Sequence, residues 1–169
     1  MYTALFTAVR RYMLPQATSL VNTHNKACDI LCVLLATLRA AHLIHWTGHW
    51  QVKGDTQYGD HLLLERVYTG LADEIDTLAE KVVSTFGSEA VDPISQINMI
   101  SETSKVLADP CVDPLVRSLE VEEKLQKLLS STFSELECMD YLTLGMNDFI
   151  MGMANSHDTF IYLLRQRLR

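Results

Sequence analysis

The spacing of apolar residues along the chain predicts long amphipathic helices. Leucines and other apolar residues recur at three- and four-residue intervals over residues 18–50, and the same spacing returns over 60–86, 115–138 and 141–168. No stretch of useful length alternates apolar and polar residues in the way that a half-buried strand does. The pattern therefore predicts an all-α chain built from four long helices.

Glycine and proline indicate how these helices are connected. The first two are joined by a short turn from Val52 to Gly59, whereas the second and third are separated by a long stretch from Gly87 to Pro114. Within that stretch residues 94–100 show a short apolar pattern, which predicts a small helix in the crossover. The fold expected is a ferritin-like four-helix bundle, with residues 18–169 as the bundle domain and 1–17 as an N-terminal arm.

Composition narrows the classes of function. The chain has 169 residues, a net charge of −7 and an isoelectric point near 5.3. This negative charge suits a protein that concentrates cations, and nucleic acid is therefore not the default partner. Its longest apolar run, Ile30 to Ala36, is short of the roughly 20 residues of a membrane span, so a soluble chain is expected. Four scattered cysteines and no recognisable secretion signal favour the cytoplasm.

Two features near the N-terminus have two interpretations each. Residues 1–28 contain no acidic side chain, which fits a surface arm or extra helical turn, or else a targeting or interaction segment. Cys28 and Cys32 lie one helical turn apart and are expected to pack as small apolar residues, with contact to a metal or an oxidant as the alternative.

A set of imidazole and carboxylate side chains lies around the first predicted turn and along the second helix, and this is the ligand chemistry suited to iron that changes between its ferrous and ferric states. On the second helix the four candidate ligands fall at about 0°, 40°, 60° and 100°, so they share one face. The fifth candidate, His49, lies at the end of the first helix, and the turn brings it alongside the second helix. The set consists of His49, His61, Glu65, Asp76 and Glu80.

The distance along the helix decides how these residues are used. His61 and Asp76 are separated by roughly 22 Å of helix rise, so no single ion binds both within one chain. Two antiparallel copies of the helix about a two-fold axis would bring His61 and Glu65 of one chain to Asp76 and Glu80 of the other. We therefore expect two equivalent sites in each dimer.

These residues and their surroundings resemble the Dps family of mini-ferritins. The likeness rests on the spacing of the five ligands, on the segment His49-Trp-x-Val-Lys-Gly54, and on Tyr68 and Ala79 beside the helix-two ligands. The C-terminal helix is also similar to that family, with Asp148-Phe149 and His157 ahead of Tyr162-Leu-Leu-Arg165.

The resemblance implies a ferroxidase that oxidises Fe(II) to Fe(III), preferably with hydrogen peroxide and otherwise with dioxygen. Ferric mineral would be stored in a hollow homododecamer built from two-fold dimers, protecting the cell against oxidants. In that scheme His49 and His61 anchor the metal, Asp76 and Glu80 ligate it from the partner chain, and Glu65 binds or bridges a second iron. Iron is the metal implied, and no organic cofactor is predicted.

Several residues beside the ligands have both a functional and a packing interpretation. His42 and His45 form a row with His49 and would serve as an entry path or second shell, or else be hydrogen-bonded within the bundle. Trp50 and Tyr68 are expected either as apolar filler or as rings that absorb oxidising equivalents. His24 and His157 have no acidic or histidine partner at ligand spacing and are expected to be structural.

Two rival functions follow from the same resemblance. Some Dps proteins coat DNA through basic tails, but here only Arg10, Arg11 and Lys26 precede the core, so DNA is a possible but disfavoured partner. An inert helical shell is disfavoured by the intact ligand set. The family often places a pore-lining acid where this chain has Thr143, which leaves the entry route of iron open, with Glu135, Glu137 and Asp140 as substitutes.

Overall fold

The computed structural model describes the backbone from Tyr2 to Arg169 and the side chains from Asn22 onward, and it confirms the all-α prediction. The predicted N-terminal arm, residues 1–17, lies outside the residues whose side chains are described. A short 3-10 helix, Ser88–Val91, precedes the crossover helix, which is longer than its sequence pattern indicated. The helices are α1 (Tyr2–Gln51), α2 (Gln57–Phe86), α3 (Pro93–Leu107), α4 (Pro114–Cys138) and α5 (Leu144–Arg167).

Four of these helices form the bundle. α1 packs against α2 and α4, and α5 packs against α2 and α4, while the crossover helix α3 lies along α1. Their inner faces are lined mainly by fully buried leucines, whose burial is the main stabilising contribution to the fold. The largest of these side chains include Leu34, Leu35, Leu38, Leu71, Leu78, Leu125, Leu129, Ile150 and Met153.

Side-chain caps fix where the later helices begin. Asp92 and Asp113 each precede a proline at the first helical turn, and each carboxylate accepts hydrogen bonds from the free backbone N–H groups that follow. The hydroxyl of Thr143 caps α5 by accepting a hydrogen bond from the N–H of Met146 at 3.2 Å. At the position where a pore acid was expected, the chain therefore uses a neutral capping residue.

The C-terminus ties α5 to the start of α2. The Arg167 guanidinium donates to both carboxylate oxygens of Asp60, which is 3 % exposed, and to the Thr56 hydroxyl. Thr56 in turn donates to Asp60 at 2.9 Å. The hydrogen bond to Asp60 raises the pKa of Arg167. The same contacts hold the first turn of α2 in place, and His61 directly follows Asp60 in the chain.

The described part of α1, Asn22–Gln51, is long and apolar enough to span a membrane by length and composition. Of its most apolar stretch, 56 % is buried inside the bundle. This is consistent with the buried core helix of a soluble protein.

Candidate metal centre

The end of α1 and the start of α2 bring three of the five predicted ligands together. His49 lies in the last turn of α1, and His61 and Glu65 lie one turn apart near the start of α2. One ligand atom from each of the three lies within 4.8 Å of the others. The short turn after Gln51, in which Gly54 adopts a φ of 91°, places the two helix ends side by side.

The two histidines hold each other in place through their backbones. Nδ1 of His49 donates to the carbonyl of His61 at 2.9 Å, and Nδ1 of His61 donates to the carbonyl of His49 at 3.0 Å. The rings stack with centroids 3.5 Å apart and planes 26° from parallel. Because each Nδ1 carries the donated proton, each neutral ring keeps its Nε2 lone pair available as a metal ligand.

The helix end contributes to this arrangement. His49 belongs to the last four residues of α1, whose carbonyl groups have no partner within the helix. The Nδ1–H of His61 satisfies one of these carbonyls, so the orientation of a ligand and the termination of the helix are achieved by the same hydrogen bond. His49 itself is 7 % exposed, and the site therefore lies at the edge of the core.

Asp76 and Glu80 are not part of this cluster. Both carboxylates are exposed on α2, and Asp76 lies eleven residues beyond Glu65, which corresponds to about 16 Å of helix rise. One chain therefore provides three of the five predicted ligands at one place and two at another.

Aromatic rings line one side of the histidine pair. Tyr68 makes an edge contact with His49, with ring centroids 5.3 Å apart, and also contacts His42 at 5.8 Å. Trp46 connects Tyr68 to Trp50, at 6.1 Å and 5.0 Å between centroids. Trp46 was missed by the sequence analysis, although its position one helical turn before Trp50 was available as a signal.

The predicted row of histidines divides in the structure. His42 is half-buried beside Trp46 and Tyr68, and burial, with a smaller effect of His45, lowers its pKa. His45 is fully buried and faces the interior of the bundle, where its hydrogen bonds run to Ser118 and Glu122. Of the two interpretations of His45, hydrogen bonding within the bundle is therefore the one that matches its contacts.

His157 belongs to the same interior cluster, with carboxylate partners that the sequence analysis did not find. It contacts Glu122 at 2.6 Å and Glu74 at 3.1 Å, and these residues are 35 and 83 positions away along the chain. Burial alone would lower the pKa of His157, but the hydrogen bonds that it donates to the two carboxylates raise it to about 9. For Glu122 the signs are reversed: burial alone would raise its pKa, but the hydrogen bonds that it accepts from His157 and His45 lower it to about 2.

The cysteine pair on α1 is placed for packing. Cys28 and Cys32 have sulfur atoms 3.9 Å apart, and the buried Cys32 thiol donates to the carbonyl of Ala90 at 3.2 Å. Burial and the neighbouring Cys28 raise the pKa of Cys32 to about 12. The thiolate needed for metal binding or rapid oxidation is therefore disfavoured at Cys32.

The acids proposed as substitutes at the pore are all exposed near the α4–α5 connection. Glu135 lies 3.9 Å from Lys26, and Asp140 adopts a φ of 60° in the turn before α5. Glu137 lies between them in the chain. A single chain shows their exposure, and their relation to a pore depends on the assembly.

Comparison with known proteins identifies the fold. No protein-family model matches the sequence, and no curated protein matches it either. Among solved structures, DpsC from Streptomyces coelicolor is 25% identical with a TM-score of 0.73, covering 88% of this chain and 86% of that one. Dps from Thermosynechococcus elongatus is 16% identical with a TM-score of 0.77, covering 89% and 95%.

A Dps protein from Vibrio cholerae O1 matches with a TM-score of 0.70 at 14% identity, covering 88% of this chain and 92% of that one. That protein is described as a member of a broad superfamily of ferritin-like diiron-carboxylate proteins. The chain thus has the ferritin-like fold of the Dps structures.

Proposed function

We propose that this protein stores and detoxifies iron by oxidising Fe(II) to Fe(III) at sites shared between two subunits. The observation that carries the proposal is the pair His49 and His61, whose Nε2 atoms are left free by their mutual backbone hydrogen bonds, with Glu65 beside them. Neutral imidazoles and a carboxylate are suitable ligands for ferrous iron. The likeness to Dps structures, including one described as diiron-carboxylate, supports iron as the metal.

A partner chain completes the site in this proposal. Two imidazoles and one carboxylate leave the high charge of ferric iron incompletely compensated, whereas Asp76 and Glu80 are exposed carboxylates on the same helix as His61. Antiparallel packing of two α2 helices about a two-fold axis would place the pair of acids opposite the histidines. Glu65 would then bind or bridge the second of two irons.

The surface around the histidines supports contact with a second copy. Trp50 is 62 % exposed, Leu62 is 44 % exposed and Tyr58 is 73 % exposed, and all three lie close in sequence to the histidine pair. Large apolar side chains grouped in this way are typical of an interface. Their burial in a dimer would also exclude water from the metal site.

The chemistry requires two irons and one oxidant molecule. Each of two Fe(II) ions gives up one electron, and one hydrogen peroxide takes both electrons and two protons to form two water molecules. Because both electrons are delivered at one site, no hydroxyl radical is released. Ferric iron would pass into a mineral inside a hollow homododecamer, and the cytoplasm would be protected from both peroxide and free ferrous iron.

DNA binding is less well supported. Of the C-terminal arginines, Arg165 pairs with Glu123 at 2.6 Å and Arg167 pairs with Asp60, so both are already engaged within the chain. The net charge of −7 adds repulsion between the protein and a polyanion.

The shared site is tested by mixing two inactive variants. His61→Ala and Asp76→Ala are each expected to lose rapid ferric-iron formation when Fe(II) is loaded anaerobically and peroxide is then added. After dissociation and reassembly of an equal mixture, half of the dimers contain both variants, and each mixed dimer has one complete site out of two. The mixture should therefore recover about a quarter of the wild-type activity.

Glu102→Ala is the matched control, because Glu102 is an exposed acid on α3 that pairs with Lys105, away from the proposed site. It should oxidise iron as fast as wild type. The proposal of a shared site fails if reassembled mixed oligomers are as inactive as their parents. The ferroxidase proposal fails if wild type is no faster than either single variant.

A further inference from the structure

A cavity of about 370 Å³ lies between the end of α1, the end of α3 and the start of α4. Cavities that bind small molecules usually measure roughly 300–1,000 Å³, so this one is large enough for a ligand. It shares no residue with the candidate metal centre. Its walls are mainly apolar and include Leu43, Ile44, Ala108 and Pro110, and its buried polar group is Arg117, after which we call it the Arg117 cavity.

Arg117 brings a positive charge to this cavity although its side chain is almost completely buried, with only 5 % of the residue exposed. Its guanidinium donates to the side-chain oxygen of Gln51 and, at 3.5 Å, to the backbone carbonyl of Pro110. Both acceptors are neutral. Within the described part of the chain, the Nε–H of Arg117 has no hydrogen-bond partner and no carboxylate pairs with the guanidinium.

A buried arginine without an anion is unfavourable and cannot relieve itself. A buried lysine or histidine can give up its proton, but a guanidinium stays charged at every physiological pH. Arg117 is also the fourth residue of α4, where the positive end of the helix dipole adds to its potential. The nearby Asp113 carboxylate already accepts hydrogen bonds from the N–H groups of Leu115 and Val116. An anion inside the cavity would compensate for the remaining charge.

The charged groups at the exposed side of the cavity do not supply that anion. Lys105 lines the cavity with a side chain that is 64 % exposed, and it pairs with the Glu102 carboxylate at 2.6 Å. The cavity therefore has one compensated cation at its exposed side and one uncompensated cation, Arg117, at its buried side.

We propose that the Arg117 cavity binds a small organic acid that has one carboxylate and an apolar body. The carboxylate would accept hydrogen bonds from the Nε–H and a terminal N–H of Arg117, in the bidentate geometry that these two groups favour. The apolar body would lie along Leu43, Ile44 and Ala108. Inorganic phosphate would also match the charge of Arg117, but it would leave the apolar walls without a partner.

The test measures the binding of octanoate to the full-length protein by isothermal titration calorimetry at about pH 7, where the carboxylate is ionised. Octan-1-ol has the same apolar body without the charge, whereas acetate and inorganic phosphate have the charge without the apolar body. We expect one octanoate per chain, bound at least about 10-fold more tightly than each of the other three probes. No iron is present, so the result is independent of the ferroxidase proposal.

Substitutions then assign the binding to the Arg117 cavity. Arg117→Met keeps a side chain of similar length without the charge, and it should weaken octanoate binding by at least about 10-fold. Arg117→Lys keeps the charge but loses the Nε–H and the planar fork, and it should also bind octanoate more weakly. Arg66→Met is the matched control, since Arg66 is an exposed arginine on α2 that does not line the cavity, and it should bind octanoate as wild type does.

Three results would overturn the proposal. If octanoate does not bind, or if octan-1-ol binds as tightly, Arg117 does not recognise a carboxylate in this cavity. If inorganic phosphate binds as tightly as octanoate, the apolar walls take no part and the ligand is not an organic acid. If the Arg117 variants bind octanoate as tightly as Arg66→Met, the ligand lies elsewhere. Should circular dichroism show that Arg117→Met is unfolded, Arg117→Lys takes its place, and the comparison of the four probes on wild type needs no variant.

Discussion

The stability of the protein should fall as the pH rises, because the buried His157 then loses a proton that stabilises the folded state. In the folded chain its pKa is raised to about 9 from 6.5, because the Glu122 and Glu74 carboxylates accept hydrogen bonds from its two N–H groups and stabilise its positive charge. A raised pKa means that the folded state holds the proton more tightly than the unfolded state does. The stabilisation is therefore complete below pH 6.5 and is lost as the pH rises through about 9.

The two pKa values determine the size of this effect. A pKa of about 9 in place of 6.5 corresponds to about 3 kcal/mol of the free energy of unfolding. The lowered pKa of Glu122 reflects the same contact seen from the carboxylate, so it is not an additional contribution in this pH range. Domains are typically stable by only about 5–15 kcal/mol, so the decline should be easy to measure.

Urea unfolding between about pH 6 and about pH 10, with a chelator present and at one protein concentration, measures the decline. His157→Gln should be less stable at neutral pH and should show a much flatter curve over the same range. His24→Gln, which leaves the contacts of His157 with Glu122 and Glu74 intact, should retain the wild-type slope. A wild-type curve that does not fall between pH 6.5 and 9, or a His157→Gln curve that falls as steeply, would refute the assignment.

Two further predictions concern packing and thiol chemistry. A Cβ added at Gly70 would lie 2.9 Å from the Phe160 ring, so Gly70→Ala should lower the free energy of unfolding by about 1–3 kcal/mol, whereas Gly152→Ala, with nothing within 4 Å, should leave it unchanged or raise it by up to about 1 kcal/mol. Equal effects in urea unfolding would contradict the close approach of α2 and α5. Cys32, with its pKa raised to about 12 by burial and by its neighbouring thiol, should resist Ellman's reagent in the native protein while the exposed Cys111 reacts, and equal labelling rates would show that the region around Cys32 opens readily.

The fold was predictable because its determinants are periodic and local. Apolar spacing placed α2 and α4 within a few residues of their ends, and the prolines at positions 93 and 114 mark the first turns of α3 and α4. The extent of α3 was underestimated at its C-terminal end, since only its first half carries a clear apolar pattern.

The meeting of His49, His61 and Glu65 was predictable for a similar reason, whereas the buried contacts of His157 were not. His61 and Glu65 share one helix, and His49 is one short turn away, so helix geometry alone suggested that they meet. His157 meets Glu122 and Glu74 only because three helices converge, and no spacing within the sequence signals such a contact. Whether Asp76 reaches the histidines depends on a second chain and remains a prediction.

The crossed hydrogen bonds between His49 and His61 affect how substitutions at the metal centre combine. Replacing either ring by alanine removes one ligand but keeps the backbone carbonyl that orients the other ring. The remaining imidazole should therefore keep its orientation and its free Nε2, and a single alanine loses only one ligand and the stacking between the rings. In an evolving lineage, a chain that lost one histidine would still hold the other in its ligating position, so a single reversion would restore the pair.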